Sequence, residues 1–250
     1  MHDEPSSGKE PLRVGVLRYS TKYFGMRTDA DVDAVLDRIA GCLDHDLDVL
    51  MVPEFALTAE RAITREEADG ITERLRELSE GHDTLVLPGS YIMQEDGYLY
   101  NLMPMVADGE VVGEYSKKSD GGELEWCYDY YGLPYGWDYN KEAEIYDGVV
   151  EHKGRRIGVE LCMDYATAAL KDRAGIDDLD LQLVVACGIS QTHHKATAVH
   201  DNGHVIICDG YRPYALVEQK HERRHWFDGY QKIRPVERVD GDLMVYELDA

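Results

Sequence analysis

The segment Arg156-Ile157-Gly158-Val159-Glu160-Leu161-Cys162-Met163-Asp164 constrains the chain most, because an alternating apolar run stops abruptly at a cysteine. Ile157, Val159 and Leu161 mark a strand, and Tyr165 to Lys171 then reads as helix. A thiol on such a strand-to-helix turn is held out of the sheet, where a substrate carbonyl can reach it. The next backbone N–H lies at a helix N-terminus, suited to binding a developing oxyanion. The competing interpretation is a small buried residue at a strand end, since free cysteine is commonly buried.

Two other strands end in chemically useful groups. Leu47 to Val52 is an apolar run followed by Pro53-Glu54-Phe55, which sets a carboxylate just past a buried strand. Such a group is costly unless it is hydrogen-bonded or used. Val111-Val112-Gly113-Glu114-Tyr115-Ser116 leads into the adjacent lysines Lys117 and Lys118. A carboxylate, an ammonium and a thiol at strand ends match the usual location of ligand sites in α/β sheets.

In this order the segments resemble the nitrilase superfamily of carbon–nitrogen hydrolases. The resemblance rests on Pro53-Glu54, on Tyr115-Ser116-Lys117 after Asp108-Gly109, and on Gly158 to Asp164, with Tyr100-Asn101 and His200 to Cys208 as secondary matches. It covers residues 12–248. It implies Glu54 as general base, Lys117 as cationic stabiliser and Cys162 as nucleophile, with Lys118 the alternative if the register slips by one. A second glutamate after the lysine is common in the family; Glu125 is favoured here over Glu123. The implied fold is a four-layer αββα sandwich of the α/β class, where pattern alone also allows a doubly wound sheet. The implied reaction is hydrolysis of a non-peptide C–N bond, foremost in a small-molecule amide, with nitriles and N-carbamoyl compounds as lesser possibilities. No cofactor is implied, and helix-mediated homodimers are.

The chain departs from the family after the cysteine, where Met163 stands instead of an aromatic residue and Ala166-Thr167-Ala168-Ala169 replaces a Pro-Glu pair. Residues 127–139 carry five tyrosines and Trp137, a set suited to a pocket wall, a packed loop or a subunit contact.

Strands are expected near 12–18, 47–52, 84–91, 100–106, 111–116, 147–152, 156–161, 181–186, 204–208, 214–219 and 243–248. Helices are expected near 30–45, 65–80, 164–173 and 193–202. Residues 1–11 read as a flexible tail and 12–250 as one domain. No stretch is long and apolar enough to read as a signal peptide or membrane span.

The 49 acidic against 26 basic residues give a net charge of -23. That field argues against nucleic-acid and anionic-membrane partners and suits concentrated intracellular salt, hence a halophilic source. Five cysteines without a CxxC pair point to a reducing cytoplasm. Cys42 reads as core, while Cys187 and Cys208 read either as packing residues or as neighbours of Cys162. A competing motif, His221-Glu222-Arg223-Arg224-His225, has the HExxH spacing of zinc hydrolases. Its Arg-Arg centre disfavours a nearby dication. A non-catalytic protein retaining the fold is the remaining alternative.

Overall fold

The computed structural model describes residues 10–21, 32–133, 138–139, 148–174, 176, 178–189, 196–221 and 229–249. Its first half alternates β1 (Leu12–Leu17), α1 (Val32–Leu43), β2 (Val49–Met51), α2 (Arg65–Ser79) and β3 (Leu85–Leu87). Hairpin strands β4 (Tyr91–Glu95), β5 (Tyr98–Ala107) and β6 (Glu110–Ser116) follow, then α3 (Glu123–Tyr131). The second half contains β7 (Val149–His152), β8 (Arg155–Leu161), α4 (Met163–Ala166), α5 (Ala169–Ala174), β9 (Leu179–Ala186) and β10 (Val199–Asp209). It closes with β11 (Tyr214–Lys220), β12 (Tyr230–Lys232), β13 (Glu237–Val239) and β14 (Leu243–Leu248).

Among the described residues one sheet runs β13-β14-β1-β2-β3-β5-β4 with β6 on β5, and the other runs β12-β11-β10-β9-β8-β7. Period-two alternation decides which side chains meet. Val14, Val16, Val49 and Met51 of the first sheet face Val159, Leu161, Leu183 and Ile206 of the second in one apolar layer. Leu50, Val52 and Val245 point the other way and bury the apolar faces of α1 and α2. Val184, Val205 and Ile207 do the same with α4 and α5. The result is the αββα sandwich. In the centre β1, β2 and β3 run parallel, as do β8, β9 and β10, so each set delivers its C-terminal ends together.

Local chemistry accounts for several boundaries. The β5–β6 hairpin turns at Asp108-Gly109, both at positive φ (47° and 75°), the backbone that suits a right-twisted hairpin. Thr64 starts α2 by accepting from the Glu67 N–H, while the Glu67 carboxylate accepts from the Thr64 N–H at 2.8 Å. Such a capping arrangement contributes about 1 kcal/mol.

Other expected boundaries fail for identifiable reasons. The strand expected at 84–91 breaks between β3 and β4 because the chain passes against the Glu54 loop there. A Cβ on Gly89 would stand 2.3 Å from the Pro53 carbonyl oxygen. The helix expected at 164–173 is interrupted at Ala168, whose φ of 60° ends α4 before α5 begins. Of the helix expected at 193–202, residues 193–195 lie outside the described residues, and 199–202 belong to β10. There Val199 pairs with Leu179 of β9, so cross-strand pairing overrides a polar pattern that resembled an exposed helix. Helix α3 and the short strands β12 and β13 had no expectation. Most of the expected tail, residues 1–9, lies outside the described residues.

Candidate active site

Cys162 stands between β8 and α4 with φ 40° and ψ -102°. This is a strained backbone for a residue with a Cβ, of the kind that costs about 1–3 kcal/mol and persists only when neighbours hold it. They do: the Cys162 N–H donates to the Val185 carbonyl at 3.0 Å, locking the turn to β9. Cys162 is 8% exposed, so its thiol is sheltered but not sealed.

Lys117 follows Tyr115 by two residues at the end of β6, and both side chains therefore point between the sheets. Lys117 is 1% exposed, whereas Lys118 is half-buried and its N–H donates to Asp164 Oδ2 at 2.9 Å. The register places Lys117 inside. Its Nζ donates to Glu54 Oε1 at 2.9 Å and also to Glu123 Oε1. Asn101 Nδ2 donates to the same Glu54 oxygen at 2.9 Å, and the Lys117 N–H donates to the Asn101 carbonyl at 3.0 Å. Glu54 Oε2 is buried with no conventional hydrogen-bond partner among the described residues. The Cys162 thiol is close enough to affect the proton affinity of this carboxyl.

The electrostatics follow from burial and these contacts. Desolvation is the largest influence on Glu54 and, with the Glu123 charge, pushes it up to about 7 against the opposing pull of Lys117. Burial alone would lower Lys117, but Glu54 and Glu123 outweigh it and keep the ammonium charged. Burial, then the Glu54 charge, raises the Cys162 thiol well above its ordinary value. The resting site therefore holds a neutral thiol, a permanent cation, and a carboxyl poised near neutrality. The Lys117 charge and the Cys187 backbone pull the thiol the other way, towards the thiolate.

A second carboxylate braces the site. Asp164, fully buried two residues after the cysteine, accepts from the Lys118 and Ser119 N–H groups at 2.9 and 2.7 Å and from Tyr115 Oη at 2.9 Å. It thus ties the Cys162 turn to the segment that carries Lys117.

Glu54, Lys117 and Cys162 are brought together. Glu125 is not: it is exposed on α3, while Glu123 is buried against Lys117. The correction has a simple cause, since residues two apart on a helix lie about 200° apart around its axis. Asn101, Asp164 and the Cys187 backbone were given no role from sequence; alternation along β5 was the one usable signal, and it carried none for the other two. Cys208 lies in the intersheet core with its thiol towards Leu17 and Met51 carbonyls, and Cys42 lies in the α1 core, as expected.

Part of the tyrosine-rich stretch forms α3, where Trp126 stacks on Tyr130 at 4.9 Å and Tyr131 Oη donates to the Ala59 carbonyl at 3.1 Å. Tyr139 is buried with Phe55 and Leu99, and residues 134–137 lie outside the described residues. Of the HExxH spacing only His221 is described, beside Gln231 Oε1 at 3.2 Å; Glu222 and His225 lie outside the described residues.

A cavity of about 890 Å³ lies at the ends of β1, β9 and β10, with Ser20, Gly188, Asp209, Arg212 and Tyr214 among its lining residues. That volume suits a small organic substrate.

This sandwich, with its strand ends gathered at one rim, has the carbon–nitrogen hydrolase fold. Among solved structures, an amidase from Nesterenkonia sp. matches with a TM-score of 0.65 over 99% of this chain and 94% of its own, at 15% identity. Nit3 of Saccharomyces cerevisiae, a member of branch 10 of the nitrilase superfamily, matches with a TM-score of 0.62 over 96% and 90%, at 13% identity. The glutamine-dependent NAD+ synthetase of Acinetobacter baumannii gives a TM-score of 0.66 and 14% identity over 96% of this chain, which spans only 46% of that protein. A mutant of the amidase from Nesterenkonia sp. AN1 carries the acetamide moiety of fluoroacetamide covalently at its active-site cysteine. No family model matches the sequence, and no curated protein matches it.

Proposed function

We propose that this protein is a thiol-dependent hydrolase of a non-peptide carbon–nitrogen bond, with a small-molecule amide as substrate. The observation that carries the proposal is the convergence of a strained cysteine turn with the buried Glu54–Lys117–Glu123 cluster. In the proposed cycle the Cys162 sulfur bonds to the amide carbon, the carbonyl π pair moves to oxygen, and the thiol proton passes to Glu54. Lys117 and the Met163 N–H, unpaired within the first turn of α4, stabilise the oxyanion. When the C–N bond breaks, Glu54 gives its proton to the departing amine. Water then attacks the thioester, losing a proton to Glu54, and the sulfur leaves and recovers that proton. Glu123 positions Lys117 and keeps it charged.

The amidase adduct supports choosing an amide and a cysteine nucleophile. Fluoroacetamide should add one acetamide group at Cys162, read by intact mass and peptide mapping, and Cys162→Ala should lose both labelling and turnover. Labelling of Cys187 instead, or turnover persisting in Cys162→Ala, overturns the assignment.

The same proposal includes a cytoplasmic, halophilic setting and a homodimer. At -23 per subunit, association is repulsive in dilute buffer and screened in molar salt. Sedimentation velocity should show a dimer that loosens as KCl is withdrawn; a monomer at every KCl concentration contradicts the dimer, and a salt-independent dimer contradicts the halophilic setting.

A further inference from the structure

Asn101 occupies a position on β5 that alternation would give to an apolar side chain. Leu99, Met103 and Met105 share its side of the strand, and all three are buried in apolar clusters. Asn101 is itself fully buried. Among the described residues its side chain makes one hydrogen bond, from Nδ2 to Glu54 Oε1 at 2.9 Å, and Oδ1 has no partner. A buried carbonyl without a donor is destabilising, and leucine would fill nearly the same space without that cost. What the amide contributes here is its N–H on Glu54.

The N–H donors from Asn101 and Lys117 both meet Glu54 at Oε1. An oxygen already accepting two such bonds is a poor seat for a proton, so the neutral carboxyl carries its proton on Oε2. Lys117 alone holds this orientation weakly, because its ammonium is shared with Glu123 and the terminal torsion of a glutamate is soft. A second donor mounted on a strand removes that freedom. The Asn101 backbone fixes the other partner as well, since its carbonyl accepts the Lys117 N–H at 3.0 Å.

We infer that Asn101 is a positioning residue: by holding Oε1 it reserves Oε2 of Glu54 as the oxygen that takes the thiol proton and returns it to the departing amine. This inference rests on the hydrolase proposal and deepens it. The proton moves from sulfur to Oε2 and from Oε2 to the amine nitrogen, while Asn101 keeps its own hydrogens throughout. The same N–H favours the ionised carboxylate, so its loss raises the pKa of Glu54. The other groups that act on Glu54 are Lys117 at the end of β6, Glu123 on α3 and Cys162 at the β8–α4 turn, and Tyr139 and Cys187 also feel its charge. A substitution at Asn101 leaves all of these in place.

Two variants of nearly the same shape test it, Asn101→Leu, which removes the donor, and Asn101→Asp, which puts an acceptor in its place. With butyramide as substrate, the acid limb of kcat/KM should move to higher pH in Asn101→Leu and further still in Asn101→Asp. On the plateau above the limb, kcat of Asn101→Leu should fall about tenfold to a hundredfold, because the carboxyl is no longer aimed. Carbon-13 NMR of the Glu54 carboxyl in the resting protein should titrate in the same order, and the melting temperature of Asn101→Leu should stay within about 4 °C of the parent. An unmoved limb, a reversed order, or a leucine variant that fails to fold overturns the inference and makes Asn101 a structural residue. If the parent protein hydrolyses butyramide and the limb does not move, the hydrolase proposal stands without it. If butyramide is not hydrolysed and fluoroacetamide leaves Cys162 unlabelled, the hydrolase proposal falls and takes this inference with it.

Discussion

Glu54 and Asp164 are both fully buried carboxylates of one site, yet they are bonded in opposite ways. Asp164 has both oxygens occupied, by two backbone N–H groups and a tyrosine hydroxyl. Glu54 has its bonds crowded on Oε1 and leaves Oε2 without a conventional partner beside the thiol. Saturation makes a brace, and a spare oxygen suits the base role proposed for Glu54. Burial alone distinguishes neither; the number and placement of donors does.

The largest effect expected from this contrast is on turnover. Glu54→Gln should lower kcat about 10²- to 10⁴-fold, because proton transfer is lost. The unfolding free energy should change by less than about 1 kcal/mol, since Glu123 still pairs with Lys117 and a desolvated charge is removed. A large loss of stability in that variant would make Glu54 a brace like Asp164. The pH profile gives the sign of the role. With Glu54 pushed up to about 7, its base form dominates above that pH. Below it, kcat/KM should fall tenfold per pH unit. A rate flat from pH 5 to 8 would remove Glu54 as the base.

Asp164→Ala should show the reverse pattern. Two buried N–H groups and Tyr115 Oη lose their acceptor, which should cost about 2–4 kcal/mol in urea denaturation. The folded fraction should keep the wild-type pH limb near 7, because Glu54 is untouched. A shifted limb would mean that Asp164 takes part in the proton chemistry.

The smallest effect should come from Tyr115→Phe, which removes one of the three donors to Asp164 and keeps the ring between the sheets. A loss of about 1 kcal/mol with kcat nearly unchanged is expected. A fall in kcat to match Glu54→Gln would place Tyr115 in the proton path and erase the distinction between the two carboxylates.

Much of this was legible in the chain itself. The alternation through Ile157, Val159 and Leu161, its stop at Cys162, the buried run ahead of Glu54 and the Asp108-Gly109 turn are local signals, written in side-chain period and turn chemistry. They are strong because the pleat and the turn act over a few residues. Lys117 over Lys118 was half legible: the spacing from Tyr115 suggested it, and packing between two sheets settled which side chain is inside. Glu123 over Glu125 was decided only in three dimensions. Residues 119–125 show no apolar period, so α3 and its orientation depend on contacts with Phe55, Leu99 and Tyr139, far away in sequence. Residues 199–202 joined a strand for a similar reason, because the energy of pairing with β9 exceeds a weak local preference. The roles of Asp164 and of the Cys187 backbone are more distant still, since a hydrogen-bond partner 45 residues away leaves no local trace in either segment. The sequence alone determined which chemical groups end the strands, because strand periodicity is local; the tertiary structure decided which of them share a site and which oxygen stays free, because donors converge there from separate parts of the chain.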